Sequence, residues 1–184
     1  MDMKLKGLMK EKKSVILASW FDAIMETYPK DNTGFFQKQG DQFSNPVGHT
    51  FTQGIESTLE AIIEGTDLAE GQSFLNDIIK VRAVQDFTPA KAVDFIFILK
   101  KVVKEQLEQE IRQDQIYDEF RKFESQVDDL ALLAFNIYMD CREQINQLKV
   151  DELKRMTFTL LKKANLAHDI PMEEFEIKNP ETSI

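Results

Sequence analysis

Residues 88–112 read TPAKAVDFIFILKKVVKEQLEQEIR, and the fold class turns on how this stretch is read. Its centre is β-branched and aromatic, which taken alone suits a strand. The flanks say otherwise. Thr88 is a good N-cap and Pro89 sits where proline is favoured, at the first helical position. Strong helix formers follow through Lys104 and Glu105. Val93, Phe95, Ile96, Phe97, Ile98, Leu99, Val102 and Val103 then wrap most of a helical circumference. A helix apolar on most sides is one buried centrally in a helical protein.

The rest of the chain follows suit. Only seven glycines and five prolines punctuate 184 residues, and they fall between helical patterns. SVILASWFDAIMETYP (14–29) predicts a helix with Val15, Ala18, Phe21, Ala23, Ile24 and Met25 broadly on one side, ended by Pro29. DNTGFFQKQGDQF (31–43) reads as a short helix or loop. A further helix is expected from Asn45 to Glu64, closed by Gly65, and another in LAEGQSFLNDIIKVRAV (68–84). From Tyr117 to about Lys163 the pattern is helical with scarcely a breaker. No strand pattern and no internal repeat emerges. The expected class is all-α, a helical bundle with a long C-terminal helix.

Composition narrows the function. Net charge is −9, which repels nucleic acid and anionic lipid outside a concentrated basic patch. The one such patch, MKLKGLMKEKK (3–13), is short and interrupted by Glu11. No partnership with nucleic acid or membrane is therefore expected. No apolar run approaches the ~20 residues that span a bilayer, and no signal-peptide core follows the basic start. A cytoplasmic location is expected. A single cysteine, Cys141, leaves neither an internal disulfide nor a multi-cysteine zinc site.

His49 and His168 are the two histidines, too far apart for a shared metal motif. With Val47 at zero and about 100° per residue, Phe51, Ile55, Leu59 and Ile62 fall between about 40° and 120°. His49 falls at about 200°, on the polar flank, where a haem ligand would be misplaced. It reads as a framework or polar-contact residue. Asp128 and Asp129 are adjacent and so diverge on a helix. Cys141 has no evident base. No phosphate-cradling glycine motif occurs, so neither an enzyme nor a cofactor is expected.

Two stretches carry what signal there is. In IIKVRAVQDFTP (78–89), Arg82 and Asp86 pair if the helix continues; if it ends near Val84, Gln85 and Asp86 form the corner before Thr88. These groups either satisfy the helix ends there or, with Asn45 and His49, make up the polar side of a ligand site; Phe95 and Phe97 read first as core and otherwise as its apolar side. In the long helix, Phe120, Phe123, Val127, Leu130, Ala134, Ile137 and Cys141 step by three and four alternately, a heptad seam. It slips phase at Ile145, Leu148, Leu153, Met156 and Leu160, as at a stutter or short break. The seam fits either a dimer interface or one face of a bundle within the chain.

NPVGHTFTQGIESTLEAI (45–62) followed by IIKVRAVQDFTPAKAVDFIFILKKVV (78–103) resembles the N-terminal domain of the RsbRD type, a group of RsbT co-antagonist (RsbR-like stressosome) proteins. SWFDAIMETYP (19–29) and the FF (35–36) ahead of the NPVGHT cap add to the likeness, which covers about residues 12–145. The resemblance implies an all-helical, globin-related domain without haem. It also implies dimerisation through the last helices and a sensory role in signalling, with a protein partner downstream. Such proteins continue into a STAS domain. Here a helix and an acidic tail follow, so a complete stressosome scaffold is not expected. The chain divides, on this reading, into a sensory domain at 1–148 and a C-terminal helix with tail at 149–184. The alternatives are a cofactor-binding globin-like protein and an adaptor docking a partner through PMEEFEIKNP (171–180).

Overall fold

The computed structural model of the chain describes residues 3–28, 46–65, 72–85, 87–113 and 116–164, apart from the side chains at 3, 46–51 and 72–74. Among these residues seven helices and no strand occur: α1 (Met3–Glu11), α2 (Lys13–Met25), α3 (Pro46–Glu64), α4 (Gln72–Val84), α5 (Pro89–Gln106), α6 (Glu108–Gln113) and α7 (Tyr117–Lys163). The fold is all-α. The chain divides into two compact units, Met1–Cys141 and Arg142–Ile184. The boundary expected at 148 lies a few residues beyond that division. The segment 31–43 and the acidic tail both lie outside the described residues.

The central helix of the first unit is α5. Thr88, extended at φ −65° and ψ 153°, ends the preceding turn, and Pro89 opens the helix. Ala92, Val93, Phe95, Ile96, Leu99, Val102 and Val103 are buried, while Phe97 faces out. Against α5 lies α2, whose buried face is Ile16, Trp20 and Ile24, spaced four apart, with Met25 beside it. The Trp20 indole N–H donates to the Phe95 carbonyl oxygen at 2.7 Å, and its ring stacks on Phe95 at 6.3 Å. This corrects the expected face of α2: Val15 and Ala18 are exposed. Apolar residues surround this helix, so periodicity alone selects no side. The indole, which needs a partner when buried, does.

Helix α3 ends as its sequence requires. Gly65 takes φ +70°, a left-handed conformation that is costly with a Cβ, and its N–H donates to the Ala61 oxygen at 2.9 Å. Ile55, Leu59, Ile62 and Ile63 are buried.

The basic N-terminal stretch is itself helical, and carboxylates of this chain meet Lys6, Lys10, Lys12 and Lys13. Lys6 and Lys10 meet Glu64 at 2.8 and 2.6 Å; Lys13 meets Glu56 at 2.9 Å and also Glu60. Lys12 reaches Glu110 and, at 2.8 Å, the Gln106 carbonyl oxygen. Hydrogen bonds from Lys10 and Lys6 hold the Glu64 carboxyl at a pKa of about 2, and Lys12 likewise lowers Glu110.

In α7, Phe120, Phe123, Val127, Leu130, Ala131, Ala134 and Tyr138 are buried within the first unit. Lys100 of α5 pairs with Asp128 at 2.5 Å on the flank of that contact. The helix runs on to Lys163 without the break that the phase slip suggested. No helix among the described residues is long and apolar enough to cross a membrane.

Candidate functional site

The most unusual side chain of the described core is Arg82, near the C-terminal end of α4. It is 0% exposed, among the largest fully buried side chains. Transferring a guanidinium from water is costly unless its hydrogen bonds and charge are met inside. Three acceptors from two parts of the chain meet them. From α5, the Lys91 carbonyl oxygen accepts from Nη1 at 2.8 Å and Asp94 Oδ1 from Nη1 at 3.1 Å. From the end of α2, Thr27 Oγ1 accepts from Nη2 at 3.2 Å. Thr27 can accept because its own proton goes to the Ile24 oxygen, at 2.7 Å.

Aromatic rings complete the enclosure. The guanidinium carbon lies 5.2 Å from the Tyr28 ring centroid, 5.1 Å from Phe87 and 4.7 Å from Phe95. Ring faces carry negative charge density, so the three rings stabilise a cation held this way. Tyr28 and Phe87 themselves meet at 5.2 Å, tilted by 60°. Burial raises the Tyr28 phenol pKa, and the Arg82 charge opposes that rise.

The corner also reaches the long helix. After Val84, the Phe87 N–H turns back to donate to the Arg82 carbonyl oxygen at 3.3 Å. The Phe87 carbonyl oxygen in turn accepts from the Tyr138 hydroxyl of α7. One buried cation and one phenol thus join the end of α2, the end of α4, the start of α5 and the middle of α7. An arginine does not lose its proton in a protein, so this centre suits holding and positioning rather than proton transfer. Asp94, its carboxylate partner, keeps 40% of its side chain exposed. The corner therefore touches solvent on one side.

The expected site residues fare unequally. Arg82 is at the centre, and it pairs with Asp94 across the corner. Gln85 is exposed, its N–H donating to the Val81 oxygen at 3.1 Å. Asn45 and Asp86 lie outside the described residues, as does the side chain of His49. Of the apolar pair, Phe95 lines the corner and Phe97 points away from the core. Sequence reasoning missed Thr27, Tyr28, Phe87, Asp94 and Tyr138. Two of them left a trace. Asp94 is the lone charge in AVDFIFIL (92–99), and Tyr138 continues the three-four spacing of Val127, Ala131 and Ala134.

The heptad seam is covered from within. Phe120, Phe123, Val127, Leu130 and Ala134 are buried by the chain's own helices, and Ile137 and Cys141 pack half-buried against the same core. Burial raises the Cys141 thiol pKa, which disfavours the nucleophilic thiolate. The large apolar residues that α7 leaves exposed are others: Leu132, Phe135 and Met139 in the first unit, and Leu148, Val150, Leu153, Met156 and Leu160 in the second. Among the described residues no group of three or more His, Cys, Asp or Glu side chains is arranged to hold a metal ion.

The sequence model of one family, described as the RsbT co-antagonist protein rsbRD N-terminal domain, matches residues 14–153, about three quarters of the chain. No curated protein and no solved structure matches the chain. The chain belongs to the rsbRD N-terminal domain family.

Proposed function

We propose, from that membership, that the chain is a non-enzymatic sensory domain of stress signalling that acts on protein partners through α7. In this reading a ligand or partner changes the packing where α2, α4 and α5 meet at Arg82. The change passes to α7 through the Phe87 oxygen and the Tyr138 hydroxyl. A second copy of the chain pairs along the apolar residues that α7 leaves exposed, and the shift of α7 alters that pairing. Such a switch needs only a few kcal/mol of differential affinity between two packings.

The observation that carries this reading is the Arg82–Phe87–Tyr138 connection. It gives a buried, solvent-touching polar corner a direct hold on the long helix. Two substitutions test it. Arg82→Lys keeps the charge but loses the planar fork. Tyr138→Phe removes only the hydroxyl, at a cost of about 1 kcal/mol. Unfolding of both single variants and the double variant, read as a cycle, should give a coupling above about 0.5 kcal/mol. Amide exchange over residues 130–141 should rise in Arg82→Lys. Additive stabilities with unchanged exchange there would remove the proposed route to α7.

A further inference from the structure

The first helix stands outside the family match, which begins at residue 14, yet it is docked with care. Leu5 and Met9, four apart, are fully buried. The backbone N–H of Leu5 donates to Glu119 Oε2 at 2.8 Å. Helix α1 has no acidic residue in its own first turn, so a carboxylate from the first turn of α7 caps it instead. Lys6 and Lys10 each follow a buried anchor, and both bind Glu64 of α3. The seat of α1 is thus apolar at its floor and acidic at its rim.

The helix itself is weak. Nine residues fall short of the ~12–15 at which an isolated helix begins to persist. Gly7 sits in the middle, where glycine disfavours helix, and a Cβ there would meet nothing within 4 Å. Packing does not demand the glycine. Once undocked, α1 would lose its shape, whereas α5 carries seven buried side chains of its own. The ion pairs at the rim are exposed, and such pairs contribute little.

We propose that α1 is a removable occupant of this seat, and that a basic amphipathic helix of a partner protein takes its place. Charge complementarity defines the partner. It carries two large apolar residues four apart, each followed by a basic residue, and it approaches a chain whose net charge is −9. Exchange also removes the cap that Glu119 supplies, so it is felt at the start of α7.

A fluorescent peptide of residues 2–12 serves as the probe, added to the full chain. Gly7→Pro in the full chain breaks α1 and frees the seat. The peptide is expected to bind this variant at least about tenfold more tightly than the wild-type chain, and more weakly as salt rises. A peptide carrying Leu5→Asp and Met9→Asp should lose that binding. No binding to a folded Gly7→Pro chain, or equal affinity for both chains, overturns the proposal. If Gly7→Pro loses its helical signal, amide exchange on the wild-type chain decides. Exchange in α1 at least about tenfold faster than in α5 supports a removable helix, and exchange of the two together overturns it.

Discussion

The two parts of α7 are built from the same kinds of residue and meet different fates. Between Tyr117 and Cys141, apolar residues three and four apart are buried under the chain's own helices. From Arg142 to Lys163, Leu148, Val150, Leu153, Met156 and Leu160 are as apolar and lie exposed. Leu153 and Leu160 are 63% and 65% exposed. Spacing announces that a face wants covering; it does not say what covers it. The first stretch has its cover; in the second, Leu148, Leu153, Met156 and Leu160 stay more than half exposed.

The sharpest way to test that contrast is in the first stretch. Phe123 is 0% exposed and meets Phe120 at 5.7 Å. Phe123→Ala should cost about 3–5 kcal/mol, through lost burial and the cavity left behind. Urea unfolding followed by circular dichroism measures it. A cost below about 1 kcal/mol would mean that this part of α7 is not core, and the contrast between the two parts would fail.

Next in size is the corner that holds α7. Arg82→Ala removes a cation that three rings and three acceptors enclose, and should cost about 3 kcal/mol. Asp94→Asn should cost less, about 1–2 kcal/mol, because the carboxylate is partly solvated and the amide still offers an oxygen. Arg82→Met is the more telling variant. A buried ion pair replaced by an apolar side chain of similar length is often neutral or stabilising. If Arg82→Met is as stable as the parent chain, stability does not account for the charge, and a role in switching gains support. If it is as damaging as Arg82→Ala, the corner is framework. Thermal unfolding of the three variants side by side separates these outcomes.

These regions also mark how far the sequence could be read. The bounds of α3 and α7 and the start of α5 were legible because each carries its own punctuation: Gly65 at a left-handed stop, Thr88 and Pro89 at a start, and no breaker from Tyr117 to Lys163. The end of α5 was not: the stretch read as one helix to Arg112 stops at Gln106, and α6 begins beyond Leu107 with no glycine or proline to mark it. Helix α1 was not, since its lysines hid the Leu5–Met9 pair and its cap comes from Glu119, far along the chain. At the corner, Arg82 was legible as one of a few polar groups between two apolar helices. Its partner Asp94 lies across the turn on the next helix, where helical spacing does not reach. Neighbours within a helix follow from periodicity; neighbours across a corner depend on the angle between helices, which periodicity does not encode.

The smallest effect on stability should come from the second part of α7, and it is the most informative for function. Leu153→Asp with Leu160→Asp places two charges where the side chains already meet solvent. Surface changes of this kind usually fall within about 0.5 kcal/mol, so the unfolding curve of the isolated chain should barely move. Association should respond instead. Leu153, Met156 and Leu160 recur at three and four, the spacing of a coiled-coil seam. Two carboxylates buried in such a seam without partners would oppose it strongly. Light scattering on the size-exclusion peak is expected to give twice the chain mass for the parent and the single-chain mass for the double variant. If both elute at twice the chain mass, the second copy binds elsewhere, and the exposed Leu132, Phe135 and Met139 become the next residues to charge. If both are monomers, α7 has no copy of itself to work against, and its exposed residues must await a different protein.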